Sequence, residues 1–336
     1  MKKILVTGAT GQIGSELTIA LRRVYGAANV VAVGHRRQPD ADLLESGPYL
    51  SIDTRDAASL QQAVSVHRID TIFHLASLLS AVAEKEPQLA WEINMTGLKN
   101  VLEAARASHC LLFFPSSISV FGPGTPPDDT PQVTVQRPTT LYGITKLTGE
   151  LLCDYYRHRF GVDTRGLRFP GLISYKTPPG GGTTDYAVEI FYAALKDGSY
   201  SCFLRSDTRL DMMYMPDAIH AAMTLMEADS EKLVHRNAYN VTAMSFTPTE
   251  LAAEIGKSRP DFRISYTVDP VRQAIADSWP RHMDDSAARA EWGWLPLYDL
   301  AATTRDMLEQ LGVLLKKRKE AAHGPGETAT QVGGKA

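Results

Sequence analysis

Cysteine is scarce in this 336-residue chain: Cys110, Cys153 and Cys202 are the only three, far apart and without a CxxC pair. Neither a disulfide framework nor a thiolate zinc site can be written from them, and reduced, buried thiols are the ordinary reading. The nine histidines form no HExxH and no i, i+4 pair, so no metal site is expected. No apolar run approaches the roughly 20 residues of a membrane span. Charge of one sign is lacking too: 35 Lys and Arg against 38 Asp and Glu leave −3, which gives no positive field for a dedicated nucleic-acid binder. Met-Lys-Lys runs straight into an apolar strand, unlike a signal peptide, and a cytoplasmic protein with a small-molecule partner is expected.

What is present is an ordinary globular composition, 44% hydrophobic and 22% charged, which excludes a disordered chain. Short apolar runs at Lys3–Thr7, Asn29–Val33, Tyr49–Asp53, Asp70–Leu75, Cys110–Phe114 and Asp163–Phe169 alternate with helical stretches such as 57–67, 88–107 and 140–160. Near-continuous apolar strands between helices mean a parallel sheet covered on both faces. The expected fold is therefore α/β: a Rossmann-type doubly wound sheet of six strands, with a smaller C-terminal α/β substrate lobe. Residues 1–170 form the dinucleotide-binding part, with 210–235 returning to it. Residues 171–315 form mainly the substrate lobe, and 316–336 read as a disordered tail whose basic start is a solvated helix end.

Gly8-Ala-Thr-Gly-Gln-Ile-Gly14 directly follows the first strand and opens a helix. There, Gly8, Gly11 and Gly14 let backbone approach a pyrophosphate, and the N–H groups around Gln12 and Ile13 face it with the positive end of the helix dipole. An acid is expected about 20 residues on to hold the ribose hydroxyls of NAD. Gly34-His35-Arg36-Arg37 stands there instead. The arginines suit a 2′-phosphate and hence NADP, or Arg36 covers the adenine face while its neighbour is solvated. Asp53, followed by Thr54, is placed for the adenine amino group or for capping the next helix. Tyr142 and Lys146 share a helix face, so the ammonium is expected to lower the phenol pKa and make Tyr142 a usable base. Ser116-Ser117 ends the preceding strand, where a hydroxyl can hold a reacting oxygen.

With these residues the chain resembles the extended branch of the short-chain dehydrogenase/reductase superfamily. The matching runs are Gly8–Gly14, His74-Leu-Ala-Ser77, Asn94-Met-Thr-Gly-Leu-Lys-Asn100, Pro115–Gly122, Tyr142-Gly-Ile-Thr-Lys146 and Arg209–Asp217. Later runs, 171–187, Ala276-Asp-Ser-Trp-Pro280 and Met283-Asp-Asp285, look like the bacterial epimerase-like L-threonine 3-dehydrogenases. The resemblance implies a triad of Ser117, Tyr142 and Lys146, a nicotinamide side lined by Leu75, Ala76, Ser77 and Leu172, NAD as cofactor, and a homodimer built on the two long helices. It further implies oxidation of the threonine hydroxyl to 2-amino-3-oxobutyrate, with hydride leaving C3. Ser80, Thr184 and the N–H groups of residues 180–182, Gly182 among them, are candidate partners of the substrate's carboxylate or ammonium. Trp279 is a candidate to close over it. Each has a plainer reading: Ser80 begins a helix, Thr184 caps one, and Trp279 packs the lobes together. Arg209 and Tyr214 are read as packing and ion-pairing residues. Two rivals share the motifs, a sugar-nucleotide 4-epimerase, for which Arg209 would hold a diphosphate, and a non-catalytic NAD(P)-sensing regulator.

Overall fold

A computed structural model describes residues 1–180 and 182–322. Its centre is a seven-stranded, wholly parallel sheet in the order β3-β2-β1-β4-β5-β6-β10. The strands are β1 (Ile4–Thr7), β2 (Val30–Gly34), β3 (Tyr49–Ser51), β4 (Thr71–His74), β5 (Leu111–Ser117), β6 (Thr164–Phe169) and, after three strands of the second lobe, β10 (Tyr239–Asn240). The helices between them are α1 (Gln12–Tyr25), α2 (Ala41–Glu45), α3 (Ala57–Val66), α4 (Ser80–Lys85), α5 (Pro87–Trp91), α6 (Gly97–Ser108) and α7 (Leu141–Phe160). Every residue of β1, β2, β4 and β6 is buried, as a sheet with helices on both faces requires. The first six strands follow the doubly wound order, so ligand chemistry belongs at their carboxyl ends.

Three features differ from the sequence expectation. The sheet has seven strands, not six, because β10, two residues long, offers no periodicity to read; it is held by register to Leu167 and Arg168 and by its buried Asn240 side chain. β5 runs on through Pro115 to Ser117, although proline ordinarily ends a central strand. Pairing with β4 stops at Phe113, so the N–H that Pro115 lacks has no ladder partner to lose, while pairing with β6 continues to Ser117. The expected helix over 88–107 is broken by a π turn at Glu92–Thr96.

The second lobe contains β7 (Gly171–Ile173), β8 (Ser199–Cys202), β9 (Leu210–Tyr214), β11 (Met244–Phe246) and β12 (Arg263–Tyr266), arranged as a three-stranded sheet β11-β9-β7 and a β12-β8 pair. Helices α8 (Tyr186–Lys196), α10 (Pro248–Ser258) and α13 (Leu300–Ala322) enclose a core that includes Phe191, Phe246, Leu251 and Leu311. Helix α9 (Met215–Glu227) returns to the first lobe, packing Ala218, Ala222 and Leu225 into the core of Leu17 and Leu21. Helices α11 (Pro270–Asp277) and α12 (Ser286–Trp292) flank the segment that carries Trp279. The tail expected from residue 316 is corrected in part: Lys316–Ala322 continue α13, with Lys316, Lys317 and Arg318 exposed, and 323–336 lie outside the described residues.

Candidate active site

The glycine turn is fixed by close packing. Gly8 has φ +69°, and a Cβ there would stand 2.5 Å from the Ala76 nitrogen, so only glycine lets the turn after β1 meet the segment after β4. Gly11 is the N-cap of α1; no side chain caps that end and no acid sits in its first turn. The N–H groups of the turn Gln12-Ile13-Gly14 are therefore left for an outside acceptor, at the positive end of the helix dipole. This donor set fits the diphosphate of a dinucleotide, which Gly8–Gly14 would hold.

Beside this turn, β4 delivers His74, whose Nδ1 lies 2.8 Å from Thr7 Oγ1. Burial, with the Lys146 charge as a smaller cause, lowers its pKa to about 3, so it stays neutral. Leu75, Ala76 and Ser77 follow, half-buried. Their loop is held by Asn94, whose Oδ1 accepts from the Leu78 N–H at 2.8 Å and the Ser77 hydroxyl at 3.1 Å, while Nδ2 donates to Thr145 Oγ1 at 3.1 Å. The π turn puts Asn94 in this position, bridging the loop to the helix that carries Lys146. The sequence motif contained Asn94, but its role was not legible, because π turns leave no periodic signal.

Tyr142 and Lys146 lie in the first turns of α7, whose N-cap Thr140 accepts from the Gly143 N–H at 3.1 Å. A Cβ on Gly143 would come 2.2 Å from the Ser119 carbonyl oxygen, so α7 can press against the 3-10 turn Ile118–Val120 that follows Ser117. Glu84 of α4 accepts from the Leu141 N–H at 2.7 Å, an acid at a helix amino end. Lys146 Nζ donates to the Pro115 carbonyl at 2.8 Å and lies 5.5 Å from the centroid of the Tyr142 ring. The sequence thus identifies three side chains that the fold brings together.

Their electrostatics depart from expectation. Burial pushes the Tyr142 phenol up to about 12, with a hydrogen bond from Ser117 working the other way, whereas a lowered value was expected. Burial also brings Lys146 down to about 7. Desolvation penalises both charged forms, and at Tyr142 it outweighs the Ser117 hydrogen bond.

Beneath these residues lies a buried ion pair that was not read from sequence. Glu150, two turns beyond Tyr142 on α7, accepts from Arg168 of β6 at 2.8 Å and from the Ser116 hydroxyl. Arg168 also donates to the Gln132 carbonyl at 2.9 Å and to Asn240 at 3.1 Å. Both charges are almost fully buried and satisfied, which locks β5, β6 and α7 together where Ser117 emerges.

The other sequence candidates divide. Asp53 takes the Arg55 guanidinium at 2.7 Å and His35 at 3.5 Å; hydrogen bonding from Arg55 holds its carboxyl at about 2. It does not cap α3, a task done by Asp56. Thr54 is buried, its carbonyl accepting from Asn100 at 3.0 Å. Arg36 and Arg37 are exposed. Leu172 pairs with Met213 at the lobe junction. Ser80 is half-buried and itself begins α4, after Leu79 as N-cap. Gly182 is a correction: its N–H, like that of Gly180, donates to Asp185 Oδ2 at 2.7 Å and so is taken inside the loop, while residue 181 lies outside the described residues. Thr184 does not cap α8, whose N-cap is Asp185; its methyl instead lies beside Gly171. Trp279 packs against both the Ile118, Val120, Phe121 and Met283 cluster and the second-lobe core. Arg209 is occupied by the Ser245 carbonyl at 2.7 Å and by Glu250, and Tyr214 donates to Asp306 at 2.6 Å.

A doubly wound sheet with an uncapped helix end after β1, and Ser, Tyr and Lys gathered beside it, defines the class of nicotinamide-dependent dehydrogenases and epimerases. The chain belongs to the NAD dependent epimerase/dehydratase family, whose model matches residues 4–242. An L-threonine dehydrogenase from Clostridium difficile is 56% identical and superposes with a TM-score of 0.92, covering 94% of this chain and 98% of that one. The holo form of a GalE-like L-threonine dehydrogenase from Cupriavidus necator is 50% identical with a TM-score of 0.89, covering 92% and 99%. Among curated sequences, an uncharacterized epimerase/dehydratase of Staphylococcus saprophyticus is 54% identical over 311 residues, 93% of this chain and 97% of its own length.

Proposed function

We propose that this chain oxidises the side-chain hydroxyl of L-threonine to 2-amino-3-oxobutyrate, with NAD as hydride acceptor. The observation that carries the reading is that similarity to L-threonine dehydrogenases continues through the second lobe, the part that meets substrate in this architecture. When bound, the nicotinamide supplies a hydride acceptor and a positive ring. The chain's own residues handle the oxygen and its proton. Ser117 donates to the threonine hydroxyl oxygen and orients it. Tyr142, as phenolate, takes that hydroxyl's proton as the C3–H bond electrons leave and the C3–O bond becomes a carbonyl. Lys146, held by the Pro115 carbonyl beside the Tyr142 ring, stabilises the phenolate while it is protonated; burial brings its pKa down to about 7, so that help is present below about pH 7 and is lost as pH rises through it. Trp279 covers the reacting end from the second lobe.

The epimerase reading needs a free cation for a sugar nucleotide's diphosphate, and the engagement of Arg209 by Ser245 and Glu250 weighs against it. The exposed apolar residues of α7 support a homodimer. The test is a mixture of enzyme, NAD and L-threonine. Growth of the reduced-nicotinamide absorbance supports the reading, and silence with threonine together with conversion of UDP-galactose overturns it.

A further inference from the structure

The acid that selects NAD at the end of β2 is missing, and what replaces it is positive. β2 lies beside β1 with Val33 opposite Thr7, and the Ala9 N–H donates to the Val33 carbonyl at 2.9 Å, so the exit of β2 touches the glycine turn. Gly34 is wedged there: a Cβ on it would stand 2.5 Å from the Tyr49 hydroxyl and 2.9 Å from the Thr10 methyl. The next three residues, His35, Arg36 and Arg37, therefore leave the sheet beside the amino end of α1, and all three are exposed. Arg37 lines a cavity of about 620 Å³ together with Thr10, Ser15 and Lys176.

Three of the carboxylates nearby, Asp53, Asp40 and Glu16, are engaged elsewhere. Asp53 is matched by Arg55 and His35. Asp40 caps α2, accepting from the Leu43 N–H at 2.9 Å, and Glu16 takes the Ser174 hydroxyl at 2.6 Å and Lys176 at 3.5 Å. Asp42 and Glu45 line the cavity from α2. Among the described residues, neither Arg36 nor Arg37 has a carboxylate partner.

We propose that the adenosine end of this site accepts a 2′-phosphate, received by Arg36 and Arg37, so that the chain binds NADP as well as NAD. An acid at this position would repel the phosphate; two unpaired guanidinium groups instead offer it planar, charge-assisted hydrogen bonds. The inference rests on the glycine turn being a dinucleotide site, but it does not depend on threonine being the substrate.

The test is binding without substrate, read by fluorescence titration with NADH and NADPH and by competition with AMP and adenosine 2′,5′-bisphosphate. NADPH should bind within about tenfold of NADH, and the bisphosphate should displace better than AMP. Replacing both arginines (Arg36→Ala with Arg37→Ala) should weaken NADPH by about tenfold or more while leaving NADH nearly unchanged. NADPH weaker than NADH by more than about tenfold in the unaltered chain, or equal loss of both in the double variant, overturns the proposal. If neither dinucleotide binds, the dinucleotide reading itself has failed; if NADH alone binds, only the 2′-phosphate proposal has.

Discussion

Tyr142 carries the largest single burden in the proposed chemistry, because it must hold a charge that its surroundings resist. With the phenol pushed up to about 12, the base form is favoured by rising pH, so threonine oxidation should climb on the alkaline side. Ser117 lowers that phenol's pKa by hydrogen bonding, and its removal should move the rising limb to higher pH. A pH profile of kcat/KM for Ser117→Ala checks this: an upward shift is expected, and an unshifted profile would detach Ser117 from the proton transfer. Tyr142→Phe removes the acceptor without changing shape. Turnover should fall by about 10²-fold to 10⁴-fold, with NADH affinity kept. Retained turnover would remove Tyr142 as the base.

At the scale of elements, α7, β5 and β6 act as one block because Glu150 and Arg168 join them in a dry interior. Arg168→Met would strand the Glu150 carboxylate and should cost about 3–5 kcal/mol in urea unfolding, as breaking buried pairs does. A loss below about 1 kcal/mol would show that the pair is not what holds the block.

Residue patterns explain why the visible parts of this arrangement were visible. β1, the glycine turn and α1 could be read because apolar runs, glycines and helical spacing report local conformation directly. Tyr142 and Lys146 could be paired because four residues is one helical turn. Glu150 and Arg168 could not be paired, since a buried ion pair between a helix and a strand 18 residues apart follows no periodicity. Glycine-rich sequence leaves the Gly180 and Gly182 N–H groups available on paper, and the fold of the loop gives both to Asp185. The rise in the Tyr142 pKa was hidden for the same reason: desolvation depends on what closes over a side chain, and the adjacent sequence does not carry that information.

The whole molecule presents one further surface. On α7, Ile144, Leu151 and Tyr155 recur at helical spacing and are 40%, 61% and 54% exposed, and Trp91 of α5 is 47% exposed. Apolar groups at this spacing, left in water on a long helix, suit a two-fold contact between copies of the chain. The chain is expected to run as a dimer in light scattering, and Leu151→Glu with Tyr155→Glu should shift it to monomer. A monomeric unaltered chain would refute that assignment. The near-neutral charge of −3 fits the proposed substrate, since a small zwitterion needs no long-range steering field. The most direct test of the central claim is to supply L-threonine deuterated at C3 with NAD and to examine the reduced cofactor by mass spectrometry and NMR. Deuterium at the nicotinamide C4 is the expected result; reduced cofactor without deuterium, or no reduction at all, would contradict the account.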